Sequence, residues 1–134
     1  MDDLPFLLLV EDEPLIRTSL AAALEDGGYG LAEAADADEA LAHLASEQTF
    51  VGLITDIKLG SKMNGWEVAR HARQTCPGIA VVYMSGDSAA DWTAEGVPNS
   101  VMLQKPFATA QVTTAISTLL NAVDISSSQP LPGR

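Results

Sequence analysis

The stretch from Thr49 to Leu59 constrains the chain most, because Phe50, Val51, Leu53 and Ile54 are apolar without alternation and the run then meets one carboxylate, Asp56. A strand with one wet face alternates apolar and polar residues. An unbroken apolar run is covered on both faces and belongs inside a parallel sheet. In open sheets of that kind the ligand crevice lies beyond the carboxyl ends of the strands. Asp56 therefore stands where chemistry is done, although a strand-ending Asp also serves as a turn former or helix cap.

Other runs repeat the pattern. Phe6 to Val10 is uniformly apolar and ends in Glu11-Asp12; Ile79 to Met84 is continuous and β-branched and ends in Ser85-Gly86-Asp87; Val101 to Gln104 is followed at once by Lys105-Pro106. Tyr29 to Ala35 carries a weaker strand signal, since Ala and Glu are poor strand formers, and is expected at the periphery. Helical spacing fills the intervals. Pro14 opens a helix marked by Ile16, Leu20, Ala23 and Leu24 that Gly27-Gly28 stops; Asp36 with Glu39 forms a capping-box pattern before Ala37, Ala40, Leu41 and Leu44. Asn64 with Glu67 caps a third helix to about Gln74, and Ser88 to Gly96 is a short helix at best. The last helix carries Val112, Ile116, Leu119, Leu120 and Val123 on one face. The expected organisation is one domain over 1–123 and a flexible tail over 124–134, where Ser, Pro and Gly accumulate.

Composition narrows the function classes. A chain of 134 residues that is 47% hydrophobic buries a core of its own, and a single Cys76 forms no internal disulfide, which fits a reducing compartment. The acidic start Met1-Asp2-Asp3 is unlike a signal peptide, and Phe6 to Val10 is far shorter than the roughly 20 residues of a membrane span. A cytoplasmic protein without a membrane partner is expected. The formal charge of −11 repels phosphate backbones, so nucleic acid is not an expected partner either.

Five strands alternating with five helices give an α/β fold: a five-stranded parallel sheet in the order 2-1-3-4-5 with helices on both faces. That order crowds the ends of strands 1, 3, 4 and 5 around one crevice, bringing together Glu11, Asp12, Asp56, Ser85 and Lys105. Clustered carboxylates need a counter-charge, from Lys105 or a divalent cation. Oxygen ligands without His or Cys favour Mg²⁺, which keeps waters and accepts phosphate oxygens, and this points to phosphoryl chemistry.

The pattern resembles the response-regulator receiver family, whose marks are an acidic pair after strand 1, an acceptor Asp after strand 3, a Ser or Thr after strand 4 and a Lys-Pro after strand 5. Val10-Glu11-Asp12-Glu13-Pro14, Thr55-Asp56-Ile57, Met84-Ser85-Gly86 and Lys105-Pro106-Phe107 occur in that order, and the resemblance covers Pro5 to about Val123. It implies the flavodoxin-like receiver fold and a phosphoacceptor role for Asp56, with a sensor histidine kinase or phosphotransfer protein as donor. It also implies Mg²⁺ held by Glu11, Asp12, Asp56 and the Lys58 backbone carbonyl. Ser85 and Lys105 would bond the phosphoryl oxygens, and Ser85 would move to switch a surface that an unidentified target protein reads.

The chain departs from the family at the second switch position, where Met102 replaces the usual aromatic residue. The loop after Asp56 carries Lys58 and Lys62, and Lys58 is expected to pair with Asp87 across the site mouth and hinder the hydrolytic water. Trp66 reads as packing, whereas Trp92 stands equally as packing or as a partner contact. His43 reads as a helix-flank residue. Two rival functions remain: a phosphatase with an aspartyl nucleophile, which wants an acid where Lys58 stands, and a degenerate receiver that only binds. A stand-alone receiver signalling through a protein partner is the expectation, with no enzymatic turnover beyond slow loss of its own phosphoryl group.

Overall fold

A computed structural model describes residues 4–60 and 62–128. The strands are β1 (Phe6–Val10), β2 (Gly30–Ala34), β3 (Gly52–Asp56), β4 (Ala80–Ser85) and β5 (Ser100–Gln104). The helices are α1 (Pro14–Asp26), α2 (Ala37–Leu44), α3 (Gly65–Thr75), α4 (Trp92–Glu95) and α5 (Thr109–Ser128), with a single 3-10 turn, Ala89–Asp91, before α4. All neighbouring strands are parallel and run in the order β2-β1-β3-β4-β5. The expected topology is the observed one.

Every residue of β3 and β4 is buried, as their unbroken apolar runs require. Successive side chains alternate between two layers. Leu8, Val10, Leu53, Val81 and Tyr83 pack with Ala40, Leu44, Val68, Ala69 and Ala72 of α2 and α3. On the other face Leu7, Leu9, Ile54, Val82 and Met84 pack with Leu20 and Leu24 of α1 and Val112 and Ile116 of α5. Cutting one such side chain, as in Leu53→Ala, costs about 2–5 kcal/mol, a large share of the stability of a domain this size.

Local chemistry sets the helix starts. Asn64 Oδ1 accepts the Glu67 N–H at 3.0 Å while Glu67 Oε1 accepts the Asn64 N–H at 3.0 Å, a complete capping box for α3. At α2 the expected box is displaced by one residue: Asp36 Oδ1 accepts from Glu39 N, but Glu39 Oε1 takes the N–H of Ala35 instead of that of Asp36.

Helix α5 is described to Ser128, past the Val123 boundary expected from the sequence. Residues 124–128 contain neither Gly nor Pro, and each added turn residue gains a hydrogen bond at little cost, so the helix propagates through them. The rest of the expected tail, 129–134, lies outside the described residues. No helix among the described residues is long and apolar enough to cross a membrane.

Two arginines on α3 hold the segment that leads into β5. Arg73 donates to the carbonyls of Ile79, Pro98 and Asn99, and Arg70 pairs with Glu95. Beneath them Tyr83 is fully buried, its ring 4.6 Å from that of Trp66, and its hydroxyl accepts the Val97 N–H at 3.1 Å. Trp66 is thus packing, as expected. Trp92 is partly exposed and donates to Ser100 Oγ at 2.9 Å, so it is anchored by its polar edge.

Candidate functional site

The carboxyl ends of β1 and β3 bring three acids together. One carboxylate oxygen each from Glu11, Asp12 and Asp56 lies within 4.8 Å of the others. Glu11 is fully buried and Asp56 is 7% exposed, while Asp12 is open to solvent. Lys105 Nζ enters from just past β5, at 3.0 Å from Asp56 Oδ2 and 3.5 Å from Glu11 Oε1. The other oxygens are held by backbone: Ile57 N donates to Asp56 Oδ1 at 2.9 Å, and Glu13 N to Glu11 Oε2 at 3.1 Å.

Backbone bonds lock these ends to one another. Ile57 N donates to Met84 O at 3.1 Å, and Lys105 N donates to Ser85 O at 2.7 Å. Gly65 makes the close approach of α3 to β3 possible, since a Cβ there would lie 2.1 Å from the Asp56 carbonyl oxygen. Its N–H also donates to Ile57 O at 2.8 Å. The Lys105–Pro106 peptide bond is cis.

Charge in this half-buried cluster is poorly compensated. Burial pushes the Glu11 carboxyl up to about 7, against the backbone bond from Glu13, with the Asp56 charge adding to the rise. Burial also raises Asp56, although the Lys105 bond and charge oppose it. For Lys105, burial acts against the ammonium form, yet Asp56 and Glu11 together outweigh it and hold the group above its ordinary value. Lys105 is therefore protonated near neutrality, and one positive charge faces up to three negative ones.

Ser85 ends β4, one residue beyond Met84, which pairs with Asp56 across the sheet. Its Oγ accepts the N–H groups of Ser88 at 2.6 Å and Asp87 at 3.2 Å, so the hydroxyl oxygen braces its own loop. Lys58 Nζ and Asp87 Oδ2 meet at 2.6 Å, the pair expected from the sequence. Asp87 Oδ1 also accepts from Ser88 Oγ at 3.1 Å. The two loops at the site mouth are thereby linked through exposed side chains.

All five residues named from strand ends, Glu11, Asp12, Asp56, Ser85 and Lys105, lie at the same end of the sheet. Met102 is half-buried, in register with Tyr83 and packed against the α2–α3 layer. Cys76 caps the end of α3, and His43 lies on the flank of α2 with Nε2 3.0 Å from Glu33 O, the position expected of it. Sequence reasoning missed Arg17, whose Nη1 donates to Glu11 O at 2.8 Å, and Ser88, which is 8% exposed. Helical spacing from Pro14 returns Arg17 toward the end of β1, a signal available in the sequence; Ser88 carried none.

Comparison with known proteins agrees with this geometry. The model of the response regulator receiver domain matches residues 7–117. The response regulator receiver protein CpdR of Brucella abortus (strain 2308) is 30% identical over 118 residues, covering 87% of this chain and 97% of that protein. The sensor kinase CckA of the same organism is 32% identical over 121 residues, covering 88% of this chain but only 13% of that kinase. The nitrogen assimilation regulatory protein NtrX of Azorhizobium caulinodans is 34% identical over 104 residues, covering 75% of this chain and 23% of its own. The chain thus spans well under a third of these two longer relatives. Among solved structures, a response regulator receiver protein from Sinorhizobium medicae WSM419 superposes with a TM-score of 0.86 at 38% identity, covering 90% of this chain and 97% of that one.

Proposed function

The chain belongs to the response regulator receiver family of two-component signalling, and from that premise we propose that Asp56 accepts a phosphoryl group from a histidine kinase or a phosphotransfer protein. The observation that carries this reading is the meeting of Lys105 with Asp56 at 3.0 Å beside Glu11 and Asp12. The Asp56 carboxylate attacks phosphorus; the new P–O bond forms as the P–N bond to the donor imidazole breaks, and the ring takes up a proton as it leaves. Lys105 opposes the charge that arrives with the phosphoryl oxygens, and Ser85 donates its hydroxyl proton to one of them.

Three clustered carboxylates with no His or Cys among them suit a hard divalent cation. Glu11, Asp12, Asp56 and the Lys58 backbone carbonyl would hold Mg²⁺. When bound, Mg²⁺ supplies the positive charge that Lys105 alone does not, so that donor and acceptor anions approach. Ser85 must release the Asp87 and Ser88 amides, at least in part, to turn toward the phosphoryl group, and the β4–α4 loop moves with it. The output is a changed surface for a protein partner, with Met102 filling space as the loop shifts. The match to CpdR over nearly its whole length supports a receiver that acts through protein contact.

An apolar groove of Leu15, Ile16, Pro106 and Phe107 adjoins Lys105, with Leu15 84% exposed, and offers the donor a foothold next to the acceptor. A phosphatase is the poorer reading, because position 58 carries a lysine tied to Asp87 in place of a general acid. Beryllofluoride with Mg²⁺ separates the readings. A stable complex that is lost in Asp56→Asn supports a receiver, steady release of phosphate from acetyl phosphate supports an enzyme, and no response to either indicates a binding module.

A further inference from the structure

Arg17 lies in the second turn of α1 and reaches back beneath the acidic cluster. Its Nη1 donates to the Glu11 carbonyl oxygen at 2.8 Å, while its Nε lies 3.5 Å from Glu33 Oε1 on β2. The side chain is 22% exposed, so it is mostly packed while its charge keeps some contact with water. The Glu11 carbonyl and the Asp12 amide belong to one planar peptide unit, and fixing the carbonyl fixes the direction in which the next residue leaves the strand. That matters for Asp12. Glu11 has its own brace in the Glu13 amide, and Asp56 has those of Ile57 and Lys105, but no N–H group among the described residues is bonded to the Asp12 carboxylate.

We propose that Arg17 is a positioning residue for the divalent-cation site, aiming the Asp12 carboxylate by pinning the Glu11–Asp12 peptide between α1 and β2. This rests on the assignment of Glu11, Asp12 and Asp56 as cation ligands. A planar fork suits the task, because one face holds the carbonyl while the other leans on Glu33; an ammonium group supplies only a point charge.

Two effects oppose each other when Arg17 is removed, and their signs differ. Losing a nearby positive charge favours binding of a cation, whereas losing the brace disfavours it. Partners that orient metal ligands are typically worth 10-fold to 100-fold in affinity, which exceeds the effect of a partly solvated charge. The brace is expected to win.

The test is the Mg²⁺ dissociation constant of the intact chain, by calorimetry and by amide shifts of Asp12 and Asp56, for wild type, Arg17→Ala, Arg17→Lys and Glu33→Gln. Arg17→Ala is expected to weaken Mg²⁺ binding about 10-fold, with Arg17→Lys recovering part of the loss and Glu33→Gln losing less than about 3-fold. The Mg²⁺ concentration for half-maximal labelling by acetyl phosphate should rise in step, while the rate at saturating Mg²⁺ stays that of wild type. A purely structural role would lower the melting temperature in the absence of Mg²⁺ and leave the Mg²⁺ dependence in place. Unchanged or tighter Mg²⁺ binding in Arg17→Ala overturns the proposal, and so does unchanged binding in Arg17→Lys should the alanine variant fail to fold. Wild type whose Mg²⁺ binding is indifferent to Asp12→Asn overturns the cation assignment itself, and the Arg17 proposal with it.

Discussion

The Lys105 ammonium donates to the Asp56 carboxylate at 3.0 Å, joining the residue after β5 to the last residue of β3 across the mouth of the sheet. The contact places an ammonium group on Asp56 Oδ2, with Glu11 3.5 Å away as a second, fully buried carboxyl group. A phosphoryl group on Asp56, as proposed, would add negative charge where a fixed positive charge already waits. Little reorganisation is then needed during transfer, which is what makes such charge effective in a low-dielectric site.

Lys105→Met should therefore slow labelling by acetyl phosphate on the order of 100-fold, the typical loss for removing one charge-stabilising donor. Binding of Mg²⁺ should persist, because the carboxylates remain. Stopped-flow or time-resolved mass measurement of the phosphorylated fraction checks this, and labelling at the wild-type rate would contradict it.

The Lys58–Asp87 pair links the two loops at the site mouth, and the expectation is that it hinders the hydrolytic water. Lys58→Ala is expected to speed loss of the phosphoryl group a few-fold, about the scale of an exposed ion pair. Both side chains are exposed, so the melting temperature should not move. The decay of phosphorylated protein after removal of acetyl phosphate is the measurement, and an unchanged half-life sinks the shielding role.

Glu11 is raised from 4.5 to about 7, chiefly by burial. Between those values the folded chain keeps a proton that the unfolded chain has lost. The contribution of this group to stability is therefore greatest below 4.5 and declines as pH rises to about 7. Asp56, also raised, acts in the same direction. Metal-free protein should become easier to denature with urea from about pH 5 to about pH 7, and Glu11→Gln should flatten that slope. Mg²⁺ requires the ionised carboxylate, so its affinity should fall below pH 7 by up to about tenfold per unit.

Gly65→Ala forces a methyl group to 2.1 Å from the Asp56 carbonyl oxygen, a contact with backbone that no rotamer relieves. The first turn of α3 or the end of β3 must shift, at an expected cost of about 1–3 kcal/mol. Because the same shift displaces Asp56, labelling should fall with stability. Thermal unfolding and labelling of this variant, beside the surface control Gln74→Ala, test the link.

Much of this architecture was legible in the sequence, for physical reasons that differ from element to element. The unbroken apolar runs of β1, β3 and β4 had one solution, a sheet covered on both faces, and their ends fixed Glu11, Asp12, Asp56 and Ser85 at one edge. The Asn64–Glu67 box marked the start of α3 because two side chains at fixed spacing satisfy two amides. The continuation of α5 past Val123 was less legible: residues 124–128 look polar, but polarity does not stop a helix as Gly or Pro does. Arg17 was missed although helical spacing from Pro14 returns it toward the end of β1, because its main partner, the Glu11 carbonyl, is backbone and leaves no mark of its own in the sequence. The bond that Ser88 N donates to Ser85 Oγ was illegible because its donor is a backbone amide, which every residue but proline carries.

The central claim is tested most directly by the intact mass of the protein after incubation with acetyl phosphate and Mg²⁺, wild type beside Asp56→Asn. Wild type should gain the mass of one phosphoryl group, lose it when Mg²⁺ is chelated beforehand, and the variant should gain none. A variant labelled as fully as wild type, or a wild type that takes up nothing, would contradict Asp56 as the acceptor.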